Sequence, residues 1–367
     1  MKKALVTSLG ARSTLENYGA VLQILAFCST LKTTYSIDCD VLDYIGINCE
    51  GYKDPIIIAQ NVFDNSIKGK VKKILLGSPI RKRYIRNLYF MKQEINLTQL
   101  YDYKSISDQH FKYDYYIAES DVIWDPTFRR KGFDNIFFLN CPAFENGQKI
   151  VYSAGLGDSN FTHSNKQEFL DKIQNLKHWS VRENYSKCYL ESFINDEVEA
   201  TLDPTLLIND NFYRNYIGKQ RLVKKDYILV YTPGFKNEKM LEDAYNCAKL
   251  KNCKVLIISR CATLKNIADI KVNVDVPEFL TYLFYCKHFF CDSFHGVCLS
   301  VVLKKDFYVY EREDGKKISD LCNRLGIDSR IVKDKLDKQP INYDKVYEKL
   351  NYEKMRSLSF LDKCFTK

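Results

Sequence analysis

Strand-length apolar stretches alternate with helix-period stretches at both ends of this chain, and that alternation leaves few folds open. "KKALVTSL" is followed by "NYGAVLQILAFCSTLK", where Val21, Leu22, Leu25, Ala26 and Leu31 keep roughly helical spacing, and then by "SIDCDVLDYI". The order predicts a β-α-β unit. Further strands are expected at "YDYYIAES", "KIVYSAG", "HWSVRE" and around "EATLDPTLLI". A second series follows the polar stretch "RNYIGKQRLVKK": the strand "DYILVYTPG", a helix over "EKMLEDAYNCAKLK", "CKVLIISR", a helix over "VPEFLTYLFYC", "KHFFCDS", a helix from residue 295 and "DFYVYER". Such repetition predicts parallel sheets with helices on both faces, an α/β protein of two Rossmann-like domains facing a cleft. At 367 residues the chain exceeds the usual size of one hydrophobic core. The expected division is 1–214, 222–340, and a helical stretch at 341–367 that packs back on the first domain.

Composition narrows the chemistry. Hydrophobic residues at 46% and charged residues at 28% are globular values. The thirteen cysteines are odd in number and never spaced Cys-x-x-Cys, and the five histidines form no His-x-x-x-His pair, so neither a disulfide framework nor a zinc site is indicated. No metal and no resident cofactor is expected, and a reducing cytoplasm fits the cysteines best. "MKKALVTSLG" is too short in its apolar part for a signal peptide and reads as a first strand. No apolar run approaches bilayer length.

The charge is unevenly placed. Lys plus Arg exceed Asp plus Glu by 9, and nine cations from Lys68 to Lys92 lie in a stretch with no acid between Asp64 and Glu94. Ile74, Leu75, Ile80, Tyr84, Ile85, Leu88 and Phe90 interleave with them. Residues 65–93 therefore read either as a segment lying on an anionic membrane surface, at the inner face of the cell membrane, or as a solvated helix face over a buried stripe. A single patch on an otherwise neutral chain argues against nucleic acid as a partner.

Within the second series, "CDSFHGVCLSVVL" (291–303) turns abruptly from apolar to polar and back. Its place is the carboxyl end of a buried strand just before a helix, the edge where open α/β sheets bind ligands. Asp292 or Ser293 can cap that helix, Gly296 removes bulk where a ligand approaches, and first-turn N–H groups favour an anion, phosphate above all. His295 then faces the cleft, able to hold or pass a proton near neutral pH. Asn17 and Gly19 occupy the matching turn after the first strand. Asn17 can cap its helix or bind a sugar hydroxyl, and Gly19 permits close approach. Trp124 is either a stacking platform for a sugar or a core residue.

Seven stretches in order carry a resemblance. "NYGAVLQILAF" (17–27), "ESDVIWDP" (119–126), "YSAGLG" (152–157), "SVRE" (180–183), "LDPTLL" (202–207), "PEFL" (277–280) and "DSFHGVCLSVVLKKDF" (292–307) together resemble the polysaccharide pyruvyl transferase family. Glu119 stands where that pattern usually has Gly and Val122 where it often has Gln, which predicts an altered loop before Trp124 or a different acceptor preference. Asp306 replaces a common proline. The resemblance implies a fold similar to the B-type glycosyltransferases, phosphoenolpyruvate as co-substrate, and a sugar acceptor, such as a lipid-linked oligosaccharide, converted to a cyclic pyruvate ketal for a capsular, exopolysaccharide or cell-wall polymer.

Such a donor carries a carboxylate and a phosphate. Arg182 suits either, because a guanidinium grips two oxygens at once. Lys317 is in the basic position the resemblance implies, with Lys316 beside it, and Ser293 and Gly296 complete the expected cradle. His295 is the expected general acid. Asp121, Asp203 and Asp292 are candidates for base or positioning group, although aspartate at a strand end is often only a cap. Two other readings stay open: a glycosyltransferase using a nucleotide sugar, and a non-catalytic assembly protein docked on a membrane by its basic segment.

Overall fold

The computed structural model describes residues 1–12, 17–46, 67–127, 132–157, 161–233, 237–259, 270–271, 274–311 and 315–365, with the side chains of 67–80, 270 and 271 excepted. The strands are β1 Lys2–Thr7, β2 Ile37–Val41, β3 Tyr44–Ile45, β4 Asn96–Leu97, β5 Tyr101–Asp102, β6 Tyr115–Glu119, β7 Gln148–Ala154, β8 His178–Val181, β9 Glu199–Ala200, β10 Tyr227–Thr232, β11 Lys254–Ser259, β12 Ile270–Lys271, β13 His288–Cys291 and β14 Phe307–Val309. They form one seven-stranded sheet in the order β4-β2-β1-β6-β7-β8-β9, one five-stranded sheet in the order β12-β11-β10-β13-β14, and a β3-β5 pair, with parallel pairing throughout. The longer helices are α1 Tyr18–Tyr35, α2 Ile67–Glu94, α3 His163–Ile173, α4 Asn184–Glu191, α5 Glu238–Leu250, α6 Val276–Tyr285, α7 Phe294–Val302, α8 Lys316–Leu325 and α9 Tyr343–Phe365.

Parallel strands covered on both faces need apolar side chains on both, so they read as continuous apolar runs. All six residues of β10, "YILVYT", are accordingly buried. Helix α1 is buried on nearly every side from Tyr18 to Leu31, because it packs against the first sheet and also meets α6 and α7 of the second half. Tyr18 donates its hydroxyl to the Val274 carbonyl at 2.9 Å and stacks on Phe279 at 4.6 Å between centroids. Farther along the interface, the Asn184 N–H at the start of α4 donates to Asp320 on α8 at 3.0 Å, and Arg324 donates to the Arg182 carbonyl at 2.9 Å. Helix α9 lies across both halves: Tyr347 bonds the Val302 carbonyl at 2.8 Å, while Ser357 accepts from Leu202 N–H at 2.8 Å and Phe365 meets Tyr115.

The basic segment needs a correction. Of its described side chains, Arg83 is buried and donates to the Ser259 carbonyl at 3.4 Å, and Arg86 bridges Asp275 and Glu278, the latter at 3.0 Å. These two cations tie α2 to the second half of the chain and are not part of a free surface. Arg81, Lys82 and Lys92 stay exposed, with Ile85 and Tyr89 between them. Residues 65–66 and the side chains of 67–80 lie outside the described residues. Among the described residues no helix is long and apolar enough to cross a membrane.

Candidate active site

Parallel strands bring their carboxyl ends to one edge, and the two sheets present those edges to each other. Between them lies a cavity of about 190 Å³ lined by Asn17, Asp121, Arg182, Asp292, His295 and Lys317, with Ser293, Phe294 and Gly315 alongside. Seven candidates from five separate stretches of sequence, Ser293 included, thus meet in one hollow. A larger cavity of about 560 Å³ sits at the opposite, amino ends of β1 and β2, near Lys3, Asp38 and Asp40.

Arg182 follows β8 and is 2% exposed. Its Nε donates to Glu183 at 2.6 Å, and its Nη1 donates to Asp203 at 3.2 Å and lies 3.7 Å from Asp121. The Phe294 ring covers the guanidinium face at 4.4 Å. Burial opposes the charge, but Glu183, Asp203 and Asp121 together raise the pKa, so the guanidinium stays ionised. Three carboxylates on one guanidinium leave only Nη2 without a hydrogen bond among the described residues. The cation predicted to grip the donor with two nitrogens is therefore largely committed to the protein. Lys317, half-buried, is a second cation in the cavity lining.

His295, 5% exposed, is held from behind. Its Nε2 is 2.8 Å from Gln23 Oε1 on α1 and 3.5 Å from Asp203 Oδ2. Asp203 follows β9 and is wholly enclosed: its Oδ2 also accepts from Ser120 Oγ at 3.1 Å, and its Oδ1 accepts from Thr205 N–H at 3.0 Å. Burial works against its ionisation, yet His295 and Arg182 outweigh that and hold the carboxyl well below the usual range. Asp203 does not line the cavity, which leaves it the second of its two expected roles, that of a positioning group beneath the arginine and the histidine, and not that of base.

Other open alternatives are decided here, and the expectations for Gly296 and Lys316 change. Ser293, not Asp292, caps α7, its Oγ accepting from Gly296 N–H at 3.3 Å; Asp292 accepts from Thr232 Oγ1 at 3.1 Å and lines the cavity. Gly296 makes no room for a ligand, since a Cβ there would lie 3.0 Å from Cys291 Sγ and 3.3 Å from Phe289, so it packs the helix on its own sheet. Gly19 makes room for His295: a Cβ at that position would fall 2.2 Å from the histidine Cβ. Asn17 caps α1, accepting from Gly19 N–H at 3.1 Å, and lines the cavity. Trp124 is fully buried, donates to the Phe137 carbonyl at 3.2 Å and stacks on Phe138, so it is core and not a sugar platform. Lys316 is exposed and outside the cavity lining.

Asp121 reaches the cavity through strained backbone. It and Ser120 have φ of 56° and 37°, left-handed values that cost non-glycine residues ~1–3 kcal/mol each and persist where surrounding contacts fix them. The Ser120 bond to Asp203 and the Gly155 N–H bond to the Asp121 carbonyl, at 2.7 Å, are such contacts. Two residues of the site carried weaker signals in sequence. Gln23 stands in the "NYGAVLQ" stretch, one helical turn after Gly19, and holds His295. Glu119, the departure from the family pattern, turns its buried carboxyl inward, where it accepts from Gln23 Nε2 at 2.9 Å. Burial pushes its pKa well up, against the opposing influence of Ser8 and Gln23.

Two parallel sheets whose carboxyl edges face a shared cavity define the B-type glycosyltransferase architecture. A protein from Listeria monocytogenes assigned as a UDP-N-acetylglucosamine 2-epimerase shares that fold, with TM-score 0.50 and 10% identity over 100% of this chain and 90% of its own. A glycosyltransferase from Streptomyces nogalater (TM-score 0.42, 8% identity, 98% and 96% covered) and an ADP-bound heptosyltransferase of E. coli (TM-score 0.42, 7% identity, 96% and 99% covered) are also similar. No curated protein matches the sequence. The family model of polysaccharide pyruvyl transferases matches residues 17–314, and the chain belongs to that family. Among the described residues no group of histidine, cysteine and carboxylate side chains is arranged to hold a metal ion.

Proposed function

We propose that this protein transfers the pyruvyl group of phosphoenolpyruvate onto two hydroxyls of a sugar, forming a cyclic ketal and releasing phosphate. The observation that carries this reading is the convergence of Arg182, His295 and Lys317 on one small cavity beside the start of α7. A volume of about 190 Å³ is below the ~300–1,000 Å³ usual for drug-sized ligands, and suits a compact donor with two anionic groups better than a nucleotide sugar.

Each step then has a group to serve it. His295 protonates the enol methylene, and the positive character that develops at the adjacent carbon admits the first hydroxyl oxygen. The second hydroxyl attacks the same carbon as the carbon–phosphate oxygen bond breaks. Of the two hydroxyl protons, one replaces that given by His295 and the other leaves with phosphate. Asp121 and Asp292, both in the cavity lining, are the bases within reach. Lys317, Arg182 Nη2 and the first N–H groups of α7 receive the phosphate charge. The acceptor enters from the α1 side past Asn17. We place lipid-linked acceptors at the membrane face, where exposed Arg81, Lys82 and Lys92 on α2 meet anionic headgroups.

The test is donor choice. Incubated with acceptor saccharides, the protein is expected to release inorganic phosphate from phosphoenolpyruvate and to leave nucleotide sugars intact. Release of nucleotide instead, with phosphoenolpyruvate untouched, would make it a glycosyltransferase.

A further inference from the structure

We propose that Glu119, acting through Gln23, holds His295 in the tautomer protonated on Nε2 and so leaves Nδ1 as the nitrogen that exchanges protons with a ligand in the cavity. Gln23 Oε1 can only accept, so at 2.8 Å the Nε2 of His295 must donate to it. Asp203 Oδ2, at 3.5 Å, offers the same nitrogen a second acceptor. No hydrogen bond within the described residues reaches Nδ1, and His295 lines the cavity.

The far end of Gln23 decides which way its amide points. A carboxamide fits the same space either way round, and only its partners choose between them. Gln23 and Glu119 are both fully buried, out of reach of bulk water. Glu119 Oε2 accepts from Gln23 Nε2 at 2.9 Å, which turns the amide nitrogen away from His295 and the carbonyl toward it. The arrangement is compatible with a neutral Glu119 as well, since with the proton on Oε1 the other oxygen, Oε2, still accepts from Gln23 Nε2. The remaining charged groups around the imidazole are Arg182, which shares Asp203 with it, and Asp121, Asp292 and Lys317 across the cavity. Reversing the Gln23 amide would present N–H to Nε2 and favour the other tautomer. Glu119 is thus a positioning residue with no contact to the reacting atoms.

The catalytic consequence rests on His295 as the acid of pyruvyl transfer; the tautomer does not, and it can be read without substrate. Full-length protein labelled with 15N histidine gives the protonated nitrogen of each ring by two-bond 15N–1H correlation, with His295 identified by its loss in His295→Gln. The wild type is expected to show Nε2–H, and Glu119→Gln, whose amide oxygen still accepts from Gln23, to keep it. Glu119→Leu and Gln23→Leu are expected to shift the tautomer ratio toward Nδ1–H by roughly 2- to 10-fold, the effect of one hydrogen bond. Nδ1–H in the wild type, or an unchanged ratio in both leucine variants, would overturn the relay; should Glu119→Leu not fold, the wild type and Gln23→Leu decide it alone. A shifted tautomer with undiminished phosphoenolpyruvate turnover would sustain the relay and count against His295 as the acid.

Discussion

His295→Ala is expected to lower turnover of phosphoenolpyruvate by ~10²–10⁴-fold, the usual cost of losing a well-placed acid or base. The expectation follows from how the ring is held. Nε2 is fixed by Gln23 and Asp203, Gly19 allows α1 to close against the ring, and the remaining edge opens on the cavity. Alanine removes the proton carrier and leaves the Arg182 cluster and Lys317 in place, so donor affinity should change far less than turnover. Measured as phosphate released per enzyme under saturating donor, near-normal turnover would take His295 out of the chemistry.

Arg182→Ala is expected to act first on stability. One guanidinium at 2.6 Å from Glu183, 3.2 Å from Asp203 and 3.7 Å from Asp121 neutralises part of a buried acidic cluster. Removing one partner of a buried ion pair typically costs ~3–5 kcal/mol, because the charges left behind have neither counter-ion nor water. The variant should therefore unfold well below the wild type in a thermal scan. Arg182→Lys should recover only part of the loss, since an ammonium cannot serve Nε and Nη1 partners in one plane. An Arg182→Ala protein as stable as the wild type would mean that the carboxylates, not the arginine, organise this corner.

Much of this arrangement is legible in the chain, and the illegible part has a common physical cause. Period and composition locate β1, α1, β2 and, in the second series, β10, β11, β13 and β14, because strands buried on both faces have no alternative to apolar runs. Strand-end polarity likewise locates Asp292 to His295, and the family resemblance adds Asp121 and Arg182. What sequence leaves undetermined is the direction of a side chain once two halves of the molecule pack together. Trp124 is drawn into the core by Phe138 and Phe169, which are distant in sequence. Gly19 answers to His295, and Arg86 to Asp275 and Glu278, all across the interface. Glu119 looks like a loop substitution until Gln23 is found beside it, because a buried acid has no local signature.

In the proposed reaction, one cavity between two sheet edges turns an enol phosphate and a diol into a ketal. The most direct measurement is mass spectrometry of the acceptor after incubation with phosphoenolpyruvate and a panel of lipid-linked saccharides, alongside a count of phosphate released. The expected product is an acceptor heavier by pyruvic acid less one water, with one phosphate released for each product. An acceptor that gains a sugar from a nucleotide donor, and nothing from phosphoenolpyruvate, would contradict it.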